Sequence, residues 1–145
     1  DRLASKTIFL PMNKLHDWQL RFEAFISDRR AKPFTWGTND CAVFAADCVQ
    51  ALTGVDVAQP SLRKHKTELQ AARLLKRHGG VVGIATAVFG QPVPATQAQV
   101  GDVVLVKAHG RDMLAICNGD TCIAPSPQGL GMLPMSDATL CWRLV

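Results

Sequence analysis

No stretch of this 145-residue chain approaches the roughly 18 to 20 consecutive apolar residues of a membrane-spanning helix, so it reads as a soluble protein. The amino-terminal segment lacks the basic-then-apolar pattern of a secretion signal, although the chain starts at Asp1 rather than Met, which leaves a trimmed leader and the compartment open. No two cysteines have the two-residue spacing of a zinc knuckle, so no metal is expected, and no cofactor motif is present. The basic clusters Arg29-Arg30-Ala31-Lys32, Arg63-Lys64-His65-Lys66 and Lys76-Arg77-His78 account for much of the net charge of +4, but no aromatic residue is interleaved among them. They read as solvated helix faces, and nucleic acid is an unlikely partner; a basic binding module would announce itself by steeply salt-dependent retention on heparin. Internal repeats and low-complexity segments are also missing, and the length suits one domain with a real core.

What the chain does carry is a cysteine at a helix start. In Pro33-Phe34-Thr35-Trp36-Gly37-Thr38-Asn39-Asp40-Cys41, the polar Asp40 caps a helix whose apolar positions Phe44, Ala45, Cys48, Val49 and Leu52 recur at helical spacing until Gly54. A thiol on the first turn faces unpaired backbone N–H groups and the positive end of the helix dipole, which lower its pKa. Cys41 is therefore the candidate nucleophile. The remaining cysteines bring the total to five, an odd number that argues against a fully paired secreted framework. Cys117 and Cys122 flank the turn Asn118-Gly119-Asp120-Thr121, so they face each other across two strands, either as a strained disulfide or as two buried thiols.

An amphipathic helix is expected from about His16 to Asp28, with Leu15, Trp18, Phe22, Phe25 and Ile26 inward and Arg21, Glu23 and Arg29 facing away. Another is expected from about Ser61 to His78, with Leu69, Ala72 and Leu75 inward and Gly79-Gly80 as its end. Val81 to Phe89 fits helix or strand. Val100 to Lys107, with its β-branched run, reads as a central strand, and Met113 to Cys117, Thr121 to Ala124, Gly131 to Met135 and Leu140 to Val145 continue a mostly antiparallel sheet. Helices first and strands afterwards make an α+β domain.

From Trp36 to Asp120 the pattern resembles the NlpC-type cell-wall cysteine peptidases, a papain-like family. The resemblance rests on Trp36-Gly37 followed by Asp40-Cys41, then on Gly101-Asp102 opening the strand Val103 to Val106, then on Met113 to Cys117 ahead of Asn118-Gly119. It implies amino-terminal helices packed on a carboxy-terminal antiparallel sheet, with residues 1–14 as an arm or first strand and residues 15–145 as the single papain-fold domain. It also implies a thiol, a base and an orienting group. The family's histidine position corresponds to Met113 and its third position to Ile123, and neither side chain can take the role. His109 is a weak substitute base, with Asp112 to orient it. The histidines at 16, 65 and 78 read as lying on helix faces or ends, with nothing to bring them to Cys41.

The whole chain, including Asp47 and Cys141-Trp142-Arg143, also looks like a branch of small bacteriophage tail-tip proteins. That likeness implies a structural component of the virion tail, made in the host cytoplasm and contacting hub or other tail-tip proteins, on a peptidase fold that has lost catalysis. The alternative is an active peptidoglycan-degrading endopeptidase with Cys41 as nucleophile, His109 as base and the Asn39 to Cys41 backbone at the oxyanion site.

Overall fold

A computed structural model describes residues 13–58 and 63–145. Most of the expected amino-terminal arm, residues 1–12, lies outside the described residues.

The first helix, α1, spans Trp18–Arg29 and buries Phe22 and Phe25, with Trp18 and Ile26 partly covered beside them. Arg29 departs from expectation. Instead of facing water it turns inward, donating from Nη2 to Asp47 Oδ2 at 2.6 Å and from Nη1 to Asn39 Oδ1 at 3.0 Å. An amphipathic stripe locates apolar side chains but says nothing of a carboxylate presented by the next helix. That helix, α2, spans Cys41–Thr53 and buries residues around nearly its whole circumference, among them Val43, Phe44, Ala45, Ala46, Cys48, Val49 and Leu52. A helix apolar all round belongs at the centre of the core, and burying a side chain such as Phe44 contributes about 2 to 3 kcal/mol.

Helix α3 covers Glu68–His78 and leaves out residues 63–67 of the expected span, because the Thr67 side chain caps it by accepting from the Gln70 amide at 3.1 Å; Ser61 and Leu62 lie outside the described residues. Its inward positions are Ala71 and Leu74, with Leu75 partly covered, whereas Leu69 is 60% exposed and Ala72 faces out. Gly79, at φ +79, ends α3 and starts α4, Gly80–Phe89, so the ambiguous apolar segment is a helix.

Six strands follow: β1 (Val93–Pro94), β2 (Val103–Ala108), β3 (Arg111–Cys117), β4 (Thr121–Ser126), β5 (Gly129–Pro134) and β6 (Ala138–Trp142). They form one antiparallel sheet in the order β1-β6-β2-β3-β4-β5. The chain is thus α+β, four helices and a six-stranded sheet among the described residues. Alternation along the strands divides the apolar side chains between two faces. Val103, Leu105, Leu114, Ile116 and Ile123 pack under the helices, while Val104, Val106, Ala115, Cys117, Cys122 and Cys141 form a second cluster. Among the described residues no helix is long and apolar enough to cross a membrane.

Candidate functional site

The segment before α2 folds back on itself: the Asn39 amide donates to Thr35 O at 2.8 Å, and the Asn39 side-chain amide donates to the carbonyls of Lys32 and Pro33. This places Asp40 at the helix end as expected, its Oδ1 accepting from the Val43 amide at 3.0 Å. The second oxygen, Oδ2, accepts from the Gly37 amide at 2.8 Å and bonds His65 Nε2 at 2.6 Å. Gly37 sits at φ +79, and a Cβ there would lie 2.2 Å from the His65 carbonyl oxygen. The Trp36-Gly37 turn is therefore where the chain around His65 docks against the start of α2.

The docking overturns the expectation for His65. A histidine in a run of basic residues reads as solvated, yet His65 is 6% exposed and lines the same cavity as Cys41. No local signal in the sequence marks it, because the partner that holds it, Asp40, is 25 residues away. A carboxylate only accepts, so Nε2 carries a proton toward Asp40, and in the neutral ring Nδ1 is left as the acceptor. That Nδ1 is buried and has no hydrogen-bond partner among the described residues.

The cavity, of about 620 Å³, opens between the start of α2, helices α3 and α4, and the β2–β3 turn. Ala71, Leu74, Val81 and Ile84 make its apolar wall, Phe34 and Trp36 stand beside Cys41, and His109, Arg111 and Asp112 lie at the turn. Phe34 and Trp36 meet edge to face at 4.6 Å between ring centres. His109 and Asp112 are thus brought to the cavity of Cys41, as the sequence suggested, but not into a relay. His109 is exposed, with a left-handed backbone at φ 54, and among the described residues it hydrogen-bonds neither Cys41 nor Asp112. The charged neighbour of Asp112 is Lys107, at 3.9 Å.

The two positions expected from the sequence resemblance to stand for a base and an orienter, Met113 and Ile123, separate. Met113 lines the cavity, yet its side chain packs with the second cluster, on the sheet face opposite that of Leu114. Ile123 is buried in the main core opposite Ile116 and does not line the cavity.

Cys41 itself corrects the sequence expectation of a lowered pKa. Burial pushes its thiol up from 9.0 to about 11; the Leu114 backbone pulls against this, and the Asp40 carboxylate adds to the rise. Cys41 is half-buried, packed against the main core at the wall of the cavity, and desolvation by that packing opposes the dipole. The arrangement holds a neutral thiol near a buried, carboxylate-held imidazole without a hydrogen bond between them. Among the described residues no three His, Cys, Asp or Glu side chains gather as a metal site.

Residues 13–144 match a family model, DUF6950, described as a domain of unknown function. No curated protein matches the chain.

Proposed function

The chain belongs to the DUF6950 family, and we propose that it is a structural component of a bacteriophage tail tip, built on a papain-like NlpC-type fold whose catalysis has been lost. The tail reading rests on the whole-chain sequence pattern, and its partners are hub or neighbouring tail-tip proteins. The observation that supports loss of catalysis is the setting of Cys41: it is half-buried against the main core, and among the described residues no histidine is hydrogen-bonded to it. Hydrolysis of an amide needs a thiolate, and then a proton for the leaving amine. At the position that the resemblance assigns to the base stands Met113, whose thioether cannot take up the thiol proton.

The test is genetic. In a phage carrying this gene, deletion stops tail completion, whereas Cys41→Ala yields infective particles at the normal titre. Intact tails after deletion overturn the structural role; loss of infection with Cys41→Ala alone overturns the loss of catalysis.

A second reading, an active peptidoglycan endopeptidase, has one specific observation in its favour. His65 shares the cavity of Cys41, is held by Asp40, and has an Nδ1 with no partner among the described residues. In that reading His65, and not His109, is the base. Cleavage of purified cell wall that is lost in Cys41→Ala and in His65→Asn but kept in His109→Ala selects it; no cleavage by the unaltered protein from pH 5 to 9 dismisses it.

A further inference from the structure

Beyond the cavity of Cys41, the chemistry most closely juxtaposed by the fold is a pair of thiols in the β3–β4 hairpin. Cys117 and Cys122 are direct cross-strand partners, and both are free thiols. The hydrogen-bond pattern defines what kind of pair they are. The Asn118 amide donates to Thr121 O at 2.8 Å across the two-residue turn, so Asn118 and Thr121 form the hydrogen-bonded pair. The next pair outward, Cys117 with Cys122, is then of the non-hydrogen-bonded kind. The Cys117 backbone agrees: its amide donates to Asp102 O at 2.9 Å and its carbonyl accepts from the Gly101 amide at 2.9 Å, both on the other side of the strand.

In such a pair the Cα atoms lie about 4.5 Å apart with the side chains closest, which is inside the range of about 4.4 to 6.8 Å that a disulfide spans. Both side chains point to the same sheet face, into the second cluster. Both thiols are buried, and among the described residues each sulfur's hydrogen bond is a long one to a backbone carbonyl, Cys117 with Gly119 O at 3.8 Å and Cys122 with Leu133 O at 3.6 Å, so no strong hydrogen bond holds either in the reduced form. The other cysteines are not competitors. Cys141 pairs with Val104 on β2, which in turn pairs with Ala115 on β3; two strand spacings, about 9.5 Å, separate it from β3. Cys41 and Cys48 belong to α2, on the helical side of the sheet.

We infer that Cys117 and Cys122 are a redox modification site, closing to a cross-strand disulfide with a low-molecular-weight disulfide as oxidant and reopening with the corresponding thiol. One cysteine attacks oxidised glutathione, releasing one glutathione and giving a mixed disulfide. The second attacks the protein sulfur of that mixed disulfide and expels the second glutathione. The two cysteine protons leave with the two glutathione molecules, so the protein loses two electrons and two protons while one glutathione disulfide becomes two thiols. The pair's Cα spacing at the short end of the range makes the bridge strained and readily reduced. The neighbouring turn, Asn118 to Asp120, is exposed, which gives the oxidant a route by fraying of the hairpin end.

The experiment uses the full chain, equilibrated in glutathione buffers of graded ratio, quenched with acid and mapped by mass spectrometry. The expected result is a loss of about 2 Da, carried by a cross-link between the peptides of Cys117 and Cys122 and reversed by excess reduced glutathione. The cross-link disappears in Cys117→Ala and Cys122→Ala and persists in Cys41→Ala and Cys141→Ala. Five unreacted thiols in fully oxidised glutathione, or a first bridge that involves Cys41, Cys48 or Cys141, overturns the assignment. The unaltered chain alone decides between these outcomes, so a variant that fails to fold does not blunt the test.

Discussion

Asp40 and His65 share a buried hydrogen bond of 2.6 Å, and the same carboxylate caps α2 and holds the Gly37 amide. One side chain thus joins a helix start, a turn and a distant loop. Asp40→Ala removes all three contacts and strands a buried imidazole, and it is expected to cost about 3 to 5 kcal/mol. Asp40→Asn keeps an oxygen for the cap but turns an N–H₂ group toward the Gly37 amide, which loses its acceptor, and its cost is smaller, about 1 to 3 kcal/mol. Urea unfolding monitored by tryptophan fluorescence measures both; equal costs for the two variants would refute the separation between cap and pair.

Gly37→Ala tests the docking itself. The left-handed φ of +79 and the 2.2 Å approach to the His65 carbonyl oxygen leave no place for a Cβ, and the atom in the way is backbone. The variant is expected to lose about 2 to 4 kcal/mol. His65 should then become reactive to diethyl pyrocarbonate under native conditions. A stable Gly37→Ala protein with His65 still protected would mean that the loop is held by something else.

The cysteines determine how stability responds to alkali. Burial raises Cys41, Cys122 and Cys141 from 9.0 to about 11, and raises Cys48 further. A raised thiol pKa means that the fold favours the protonated form. Its contribution is complete below pH 9 and is lost as pH climbs from about 9 through 11. Each thiol ionising at about 11 contributes at most about 3 kcal/mol, a bound that solvent screening lowers. Unfolding free energy should therefore be level from pH 7 to 8.5 and then fall, and the fall should be shallower in the double variant Cys122→Ala/Cys141→Ala. The same shift predicts iodoacetamide alkylation of Cys41 about a hundredfold slower at pH 7 than for a free thiol. Alkylation of Cys41 at the rate of free cysteine would overturn the burial argument.

Local signals account for what the sequence revealed. Asp40, the apolar positions of α2 and Gly54 mark a helix from end to end, and Asn118-Gly119-Asp120 marks the hairpin that sets Cys117 opposite Cys122. Each of these signals operates within a few residues. What the sequence hid depends on partners far along the chain. Arg29 turns inward only because Asp47 meets it from α2, and His65 is buried only because Gly37 leaves room for its backbone. The pKa of Cys41 follows the same division: the helix dipole is visible locally, but the enclosure that outweighs it comes from the surrounding fold. Helix α3 misled for a subtler reason, since its apolar residues fit two adjacent stripes and only packing selects Ala71 and Leu74.

The Gly101-Asp102 pair that opens β2 makes the last prediction. Asp102 is fully buried; its Oδ1 accepts from the Leu144 amide at 2.9 Å, its Oδ2 accepts from the Gln99 amide at 2.9 Å, and Arg143 Nε lies 2.8 Å from Oδ2. The side chain therefore ties the start of the sheet to the end of the chain through two backbone donors and one ion pair. The two amides are expected to matter more than the arginine, because Arg143 is 34% exposed and solvent screens its charge. Asp102→Asn turns an N–H₂ group toward either the buried Leu144 amide or the partly covered Gln99 amide and leaves that donor without its acceptor, at a cost of about 1 to 3 kcal/mol. Arg143→Met leaves both amide bonds in place and should cost about 1 kcal/mol or less. Chemical unfolding of the two variants decides the order, and hydrogen exchange at the Leu144 amide locates the damage. If Arg143→Met proves the more costly, the carboxylate is held by its counterion and not by the backbone.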